Sequence, residues 1–254
     1  MVIVNCSGGK DSTAMLSMMI RRVMRIDRIL YADVGEMAEF EAQYEYIARL
    51  ESYFGRSIET VRSGRWTARS MFYGYPSRGK HADEIRGFPP TVGAGCRYRS
   101  WLKVDPLEEA AGPGNVVYIG IAADEANRSR AGEYTKGKQR YHFPLVEWGV
   151  KEQDCLDHLR EVGLYNPLYN YFDRLGCWWC PKQPLRSLRQ LYLHFPDKWA
   201  QLRQLEADQG RPFKHGYPAE VLTLRFQKEQ CESMRQGRCD GCCGQPCVGP
   251  ATAA

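Results

Sequence analysis

The stretch Val2-Ile3-Val4-Asn5-Cys6-Ser7-Gly8-Gly9-Lys10-Asp11-Ser12 opens the chain and sets its organisation. Val2 to Val4 is an apolar, β-branched run that reads as a buried strand. It breaks into Ser-Gly-Gly and resumes with helical spacing, placing Met15, Leu16, Met19, Ile20 and Val23 on one face. Two glycines let the backbone turn sharply and aim successive N–H groups at one spot. The following helix points its positive end there as well. Lys10 adds a mobile cation, and Ser7 and Ser12 add hydroxyl donors. The combination is an anion site, and the anion it suits is a nucleotide phosphate.

The spacing is not that of the Walker loop, which needs Gly, four residues and then Gly-Lys-Ser/Thr. Ser7-Gly8-Gly9-Lys10-Asp11-Ser12 instead resembles the PP-loop of ATP pyrophosphatases, which split ATP between the α and β phosphates. The bland alternative, a tight strand-to-helix turn with a chance lysine, leaves six matching consecutive residues unexplained.

Outward from the loop, strand and helix patterns alternate. Ile29-Leu30-Tyr31-Ala32 reads as a second buried strand ending in Asp33-Val34-Gly35-Glu36, at the edge where open α/β sheets hold ligands. Residues 39 to 54 read as an amphipathic helix, Ser57 to Val61 as a third strand and Asn115 to Ala122 as a fourth. The expected fold is α/β, a doubly wound, mainly parallel sheet with a helical, cysteine-rich C-terminal extension. The expected division is residues 1–170 as the nucleotide-binding domain and 171–254 as the helical region. Residues 62 to 114 lose the pattern, with arginines (Arg62, Arg65, Arg69, Arg78, Arg86), Gly, Pro and aromatics dominating, and read as functional loops. His142 to Leu145 reads as short and extended. Helical spacing returns near 151 to 162, then at 184–194, 196–208 and 218–235. The tail from Val248 is expected to be disordered.

The 254 residues, 43% hydrophobic and 12% aromatic, suffice for a proper core. A net charge of +5 permits a polyanionic partner, while a pI of about 8.6 falls short of a dedicated nucleic-acid domain. No signal peptide and no transmembrane run is recognisable, so a cytoplasmic protein without membrane contact is expected. Ten cysteines are many for that compartment, where clustered thiols mean metal or redox chemistry more often than disulfides. Cys6 and Cys155 stand alone and read as packing residues. Cys96 with Cys177-x-x-Cys180 forms one constellation, suited to zinc, to an iron–sulfur cluster, or to no ligand at all, with Trp178 and Trp179 packing around it. Cys231, Cys239, Cys242, Cys243 and Cys247 form another, readable as a zinc knob, as a source of a further cluster ligand, or as an unligated redox-active tail.

Taken together, these segments resemble the phosphoadenosine-phosphosulfate reductase family of the PP-loop superfamily of adenine-nucleotide α-hydrolases. The matching pieces are Ser7 to Ser12, Asp33-x-Gly35, Cys96 with Lys103, and Gly120-Ile121-x-x-x-Glu125-x-x-Arg128. Phe143-Pro-Leu145, Asn166-Pro-Leu-Tyr169 and Gly176-Cys-x-x-Cys-Pro181 complete them. The resemblance implies that Ser7, Gly8, Gly9, Lys10, Asp11, Ser12, Asp33, Gly35, Lys103, Gly120, Glu125 and Arg128 bind the nucleotide. Lys10, Asp11 and Asp33 would be catalytic, with Asp11 or Asp33 holding Mg²⁺; for Asp11 a helix N-terminal carboxylate is the alternative, and for Arg128 a surface ion pair.

The intact Lys10 departs from true sulfonucleotide reductases, whose substrate lacks the β and γ phosphates, and the reductases' cysteine-bearing C-terminal tail is missing. The resemblance therefore implies ATP as substrate and adenylation of an acceptor. A [4Fe–4S] cluster (or Zn²⁺) on Cys96, Cys177 and Cys180 would assist sulfur transfer to a nucleic acid, and Tyr165 stands where some relatives have a cysteine. Partners implied are tRNA or DNA, a sulfur-donor or electron-donor protein, and a second copy of the chain. The rival readings are a sulfonucleotide reductase and a nucleotide-sensing, metal-dependent nucleic-acid-binding protein. The arginines of 62 to 114, interleaved with Trp66, Phe72, Tyr73, Tyr75, Tyr98 and Trp101, suit nucleic acid or a solvated loop.

Overall fold

The structure is a computed structural model that describes residues 1–76, 83–90, 95–127 and 139–235. The chain divides into two compact units, one of Met1–Gly74 with Ala94–Trp178 and one of Tyr75–Gly93 with Trp179–Ala254.

The first unit is built on five parallel strands: β1 (Val2–Asn5), β2 (Arg28–Ala32), β3 (Glu59–Val61), β4 (Val116–Ile119) and β5 (Arg140–His142), in the order β3-β2-β1-β4-β5. Alternation along the strands sends Val4, Ile29 and Tyr31 to one face and Ile3, Leu30 and Val117 to the other. The first face is covered by α1 (Lys10–Arg21), α2 (Glu41–Phe54) and a later helix (Glu152–Glu161), through Met15, Leu16, Met19, Ile47, Leu50 and Leu159. Helix Asp105–Ala111 covers the second with Leu107, Ala110 and Ala111. Apolar residues on both faces explain why the strands read as continuous hydrophobic runs, and the sheet is doubly wound as expected.

Successive strands step from β1 outward to β2 and β3, then return to β4 beside β1. That reversal opens a crevice between the carboxyl ends of β1 and β4, the place where such sheets receive ligands. The loop Ser7–Gly9 leaves β1 there, and Gly120–Glu125 leaves β4.

Three local readings change. The first helix ends at Arg21, and Val23, expected on its apolar face, has φ +55° and is 90% exposed. His142–Leu145 is not all extended, because Pro144, its φ preset for a first helical turn, starts a short helix (Pro144–Glu147). The stretch 62–114 contains α3 (Ala68–Tyr73), begun by a Thr67–Ser70 capping box, and a helical run from Arg97 to Ala111. Ser100–Val104 within that run is π-helical, with Asp105 N–H bonded to Ser100 O. Pro106 supplies the cause: it has no N–H for the carbonyl four residues back, and its ring crowds that carbonyl.

The second unit carries helices Leu185–His194, Pro196–Gln209 and Ala219–Arg235. Tyr192, Trp199 and Phe226 meet pairwise at 5.7–5.8 Å between rings. The Glu206 carboxylate accepts the Ala219 N–H at 2.9 Å, holding the chain at the start of the last helix. No helix among the described residues is long and apolar enough to cross a membrane.

Candidate active site

Gly8 turns the loop with φ +70°, and a Cβ there would lie 2.0 Å from Gln43 Nε2. Gln43 occupies that space because it donates to Ser7 O at 2.9 Å. Fully buried Asn166 donates to Gly8 O (3.3 Å) and Gln43 Oε1 (3.1 Å) and accepts from Leu168 N–H (3.0 Å). The Tyr169 hydroxyl accepts the Lys10 N–H at 2.7 Å, leaving its own proton to donate. Asn166-Pro-Leu-Tyr169 is thus a brace beneath the loop. Inside the loop, Ser12 Oγ accepts from Ser7 N–H (3.1 Å) and donates to Gly9 O (3.1 Å).

Gly120 closes the assembly from β4. A Cβ on it would stand 2.5 Å from Ser12 Cα and 2.6 Å from Ser12 N, both backbone atoms. Only glycine lets the first turn of α1 press against the end of β4.

These elements enclose a cavity of about 170 Å³ that takes in Ser7, Gly9, Lys10, Asp11, Ser12, Lys103, Gly120 and Glu125 from the expected set. Glu39, Gln43, Glu152, Tyr169 and Arg174 also line it, and sequence reasoning missed them as site residues. Buried Lys10 reaches Glu152 at 2.9 Å. Carboxylate oxygens of Asp11, Glu125 and Glu152 lie within 4.8 Å of one another; among the described residues this is the one such group of three or more His, Cys, Asp or Glu ligand atoms. Buried Glu39 faces Lys103 at 3.8 Å. Burial pushes the Glu39 carboxyl above its ordinary range. Burial alone would discharge Lys103, but the charges of Glu39, Cys177 and Cys96 outweigh it and hold the ammonium more firmly.

Asp33 is 4% exposed and does not line this cavity. Its carboxylate accepts from Gly35 N–H (2.8 Å), the Tyr44 hydroxyl (2.8 Å) and Arg62 (2.7 Å). Burial opposes its charge, yet these donors prevail and hold the carboxyl below the ordinary range. Asp33 and Gly35 form one tight turn at the end of β2.

Cys96 precedes the helical run at Arg97, and Cys177 follows Gly176 at the cavity wall; neither is in a disulfide, and both are partly buried, in the first unit. Cys180 lies in the second unit, outside any disulfide and partly buried, and Cys231 is exposed on the last helix. Cys6 and Cys155 are buried, and burial pushes their thiols up to about 11 and about 12. Arg128, Cys239, Cys242, Cys243 and Cys247 lie outside the described residues, as do Arg78 and the tail from Val248.

The phosphoadenosine phosphosulfate reductase domain model matches residues 1–183. Two uncharacterised proteins of Methanocaldococcus jannaschii are similar, one 27% identical over 206 residues (78% of this chain, 40% of the relative). The other is 23% identical over 209 residues (76% and 45%), so the chain spans less than half the length of either. Among solved structures, a phosphoadenylyl-sulfate reductase from Candida auris in its phosphate complex aligns with TM-score 0.47 and 15% identity, covering 70% of this chain and 81% of its own. A U34-tRNA thiolase from Methanococcus maripaludis with its [4Fe–4S] cluster aligns with TM-score 0.40 and 13% identity, covering 81% and 70%. With residues 1–183 matched, from the Ser7–Ser12 loop through Cys177 and Cys180, the chain belongs to the phosphoadenosine phosphosulfate reductase domain family.

Proposed function

We propose that this chain is an ATP pyrophosphatase that transfers the adenylyl group of ATP to an acceptor, releases pyrophosphate, and serves sulfur transfer to a nucleic-acid base or backbone. The observation that carries the reading is Lys10, buried in the cradle with its ammonium on the Glu152 carboxylate. A cation there supports a substrate whose β and γ phosphates carry charge to be neutralised. When ATP enters, Lys10, the loop N–H groups and the Tyr169 proton stabilise the charge that grows on the bridging oxygen and the departing pyrophosphate. Lys103 and Arg174, which also line the cavity, add further cations.

Asp11, Glu125 and Glu152 offer hard oxygen donors close together, which fits Mg²⁺ held by carboxylates and substrate phosphates. Bound there, the ion would neutralise phosphate charge. Cys96 and Cys177 both act on the charge of Lys103, and the Cys177-x-x-Cys180 spacing within the family domain supports a thiolate-ligated metal. A [4Fe–4S] cluster held by these thiols would supply sulfide for the transfer; Zn²⁺ is the alternative occupant. Sulfur transfer forms one bond from sulfur to the activated acceptor atom and breaks that atom's bond to the adenylyl oxygen, so AMP leaves.

Calorimetric titration of wild type and Lys10→Ala with ATP and with phosphoadenosine phosphosulfate tests this. ATP binding should weaken about tenfold or more in the variant, the worth of hydrogen bonds to charged groups. Thioredoxin-dependent sulfite release that is indifferent to Lys10→Ala would overturn it in favour of a reductase.

A further inference from the structure

The nucleotide chemistry leaves a second cavity of the first unit unused, about 460 Å³ in volume and walled by Trp66 and Trp101. The two indoles are stacked, 4.9 Å between centroids and 17° between planes, and each is only partly buried. The Arg65 guanidinium lies 4.9 Å over Trp66 and that of Arg97 5.7 Å over Trp101. Arg69 and Arg99 are exposed on the same two segments. Among the described residues none of these four arginines has a carboxylate partner within 4.0 Å, whereas nearby Arg62 is paired with Asp33. Asp105 and Glu109, one and two helical turns beyond Trp101, line the same cavity.

A packing role accounts for the stacked rings but not for two exposed guanidiniums laid over them without an ion-pair partner among the described residues. Like charges held together repel, and a polyanion relieves that repulsion. Aromatic faces beside unpaired cations form the combination that holds single strands, with bases on the rings and phosphates on the cations. Duplexes do not offer an unstacked base.

We propose that this surface binds single-stranded nucleic acid: an unpaired base stacks on the Trp66–Trp101 platform and the backbone follows Arg65 and Arg97. The Asp105 and Glu109 carboxylates accept N–H groups of the base edge. The inference rests on the reading above in taking the acceptor to be a nucleic acid. The π-helical stretch Ser100–Val104 links the two places. Residues two apart on a helical turn point to nearly opposite sides, so Trp101 faces the platform while Lys103 lines the nucleotide cavity.

The test is fluorescence titration of the full chain with a 12-nucleotide single strand, as RNA and as DNA, and with its duplex, inorganic polyphosphate and the four nucleoside monophosphates. Single strands should bind tightest. Trp66→Ala and Trp101→Ala should each weaken them about 5- to 150-fold, the effect of one stacked base. Trp66→Phe, which keeps a ring, should restore most of the affinity, and ATP affinity should be unchanged in Trp66→Ala, which shows that the fold survives. Arg65→Ala and Arg97→Ala should each reduce the slope of log affinity against log salt by about 0.7.

Equal affinity for single strand, duplex and polyphosphate would overturn the platform, as would monophosphates binding as tightly as the oligonucleotide, or Trp66→Ala and Trp101→Ala proteins that bind strands unchanged. Single-strand binding that survives Lys10→Ala while pyrophosphate release is never seen would leave the platform standing and remove the enzymatic reading. ATP cleavage without strand binding would do the reverse.

Discussion

Gly120→Ala tests how the phosphate cradle is assembled. The added Cβ would sit 2.5 Å from Ser12 Cα, 2.6 Å from Ser12 N and 2.8 Å from Asp11 C. Ordinary contact begins at 3.4 Å, so the start of α1 must retreat from β4 by the difference, 3.4 − 2.5 = 0.9 Å. No flexible side chain absorbs this, since all three atoms are backbone. Overpacking of that kind costs about 1–3 kcal/mol. At about 2–4 °C per kcal/mol for a chain of this size, the melting temperature should fall by about 2–12 °C. On the proposed function, the same shift would carry Lys10 and the loop N–H groups away from the nucleotide phosphates, and a misplacement near 1 Å costs about 10²-fold in rate. Differential scanning calorimetry and ATP turnover should be read together. Gly64→Ala serves as the control, because its Cβ meets no atom within 4 Å among the described residues. A Gly120→Ala protein with wild-type melting temperature and turnover would refute the claim that α1 is seated on β4 through this contact.

Asp33→Asn should cost about 1–3 kcal/mol at pH 7 by weakening buried bonds to Arg62, Tyr44 and Gly35. Because the folded carboxyl titrates below its ordinary value of about 3.9, its contribution is full above that pH and fades as pH falls through the folded value. The variant's deficit should therefore shrink toward pH 3, and a constant deficit across thermal melts at pH 7 and pH 3 would contradict this. Lys103→Met leaves Glu39 buried without its cation, and a carboxyl already titrating high destabilises the fold as pH climbs past its unfolded value of about 4.3. Urea unfolding should show the variant's deficit growing from pH 4 to pH 8; a flat deficit would count against the pairing. Asn166→Ala removes the brace on Gly8, Gln43 and Leu168, three buried bonds worth about 3 kcal/mol together. A measured loss within about 0.5 kcal/mol, typical of surface changes, would mean that the brace is not stabilising.

The strand–loop–helix opening is legible in the sequence because it is local: a β-branched run, two glycines and a 3.6-residue spacing meet within about twenty residues. The parallel sheet follows from alternation of such units. Short elements escape that kind of reading. Ala68–Tyr73 spans six residues, too few for a helical period, and the Arg97–Ala111 run is masked by Pro106, which signals a break but here sits just after a π-helical stretch. The lining of the site escapes for a different reason. Gln43 and Tyr169 meet the loop from 36 and 159 residues away. Gln43 reads as one more polar position on an amphipathic helix, and Glu152 as an acidic residue suited to a helix start. Asn166-Pro-Leu-Tyr169 is visible as a family segment, yet its bracing work depends on burial beneath Gly8. Asp33 stands where a ligand residue would stand, at a strand end, but nothing in the local pattern foretells that Arg62 and Tyr44 occupy its oxygens.

The central claim is that Lys10 and its cradle bind ATP for cleavage between the α and β phosphates. Phosphorus NMR of ATP incubated with the anaerobically purified protein and Mg²⁺ reads the bond broken. AMP and pyrophosphate should appear one to one, and Lys10→Ala should suppress both by about 10²-fold or more, the worth of a group that stabilises transition-state charge. ADP and inorganic phosphate as products, or AMP and pyrophosphate formed equally fast by Lys10→Ala, would contradict the account.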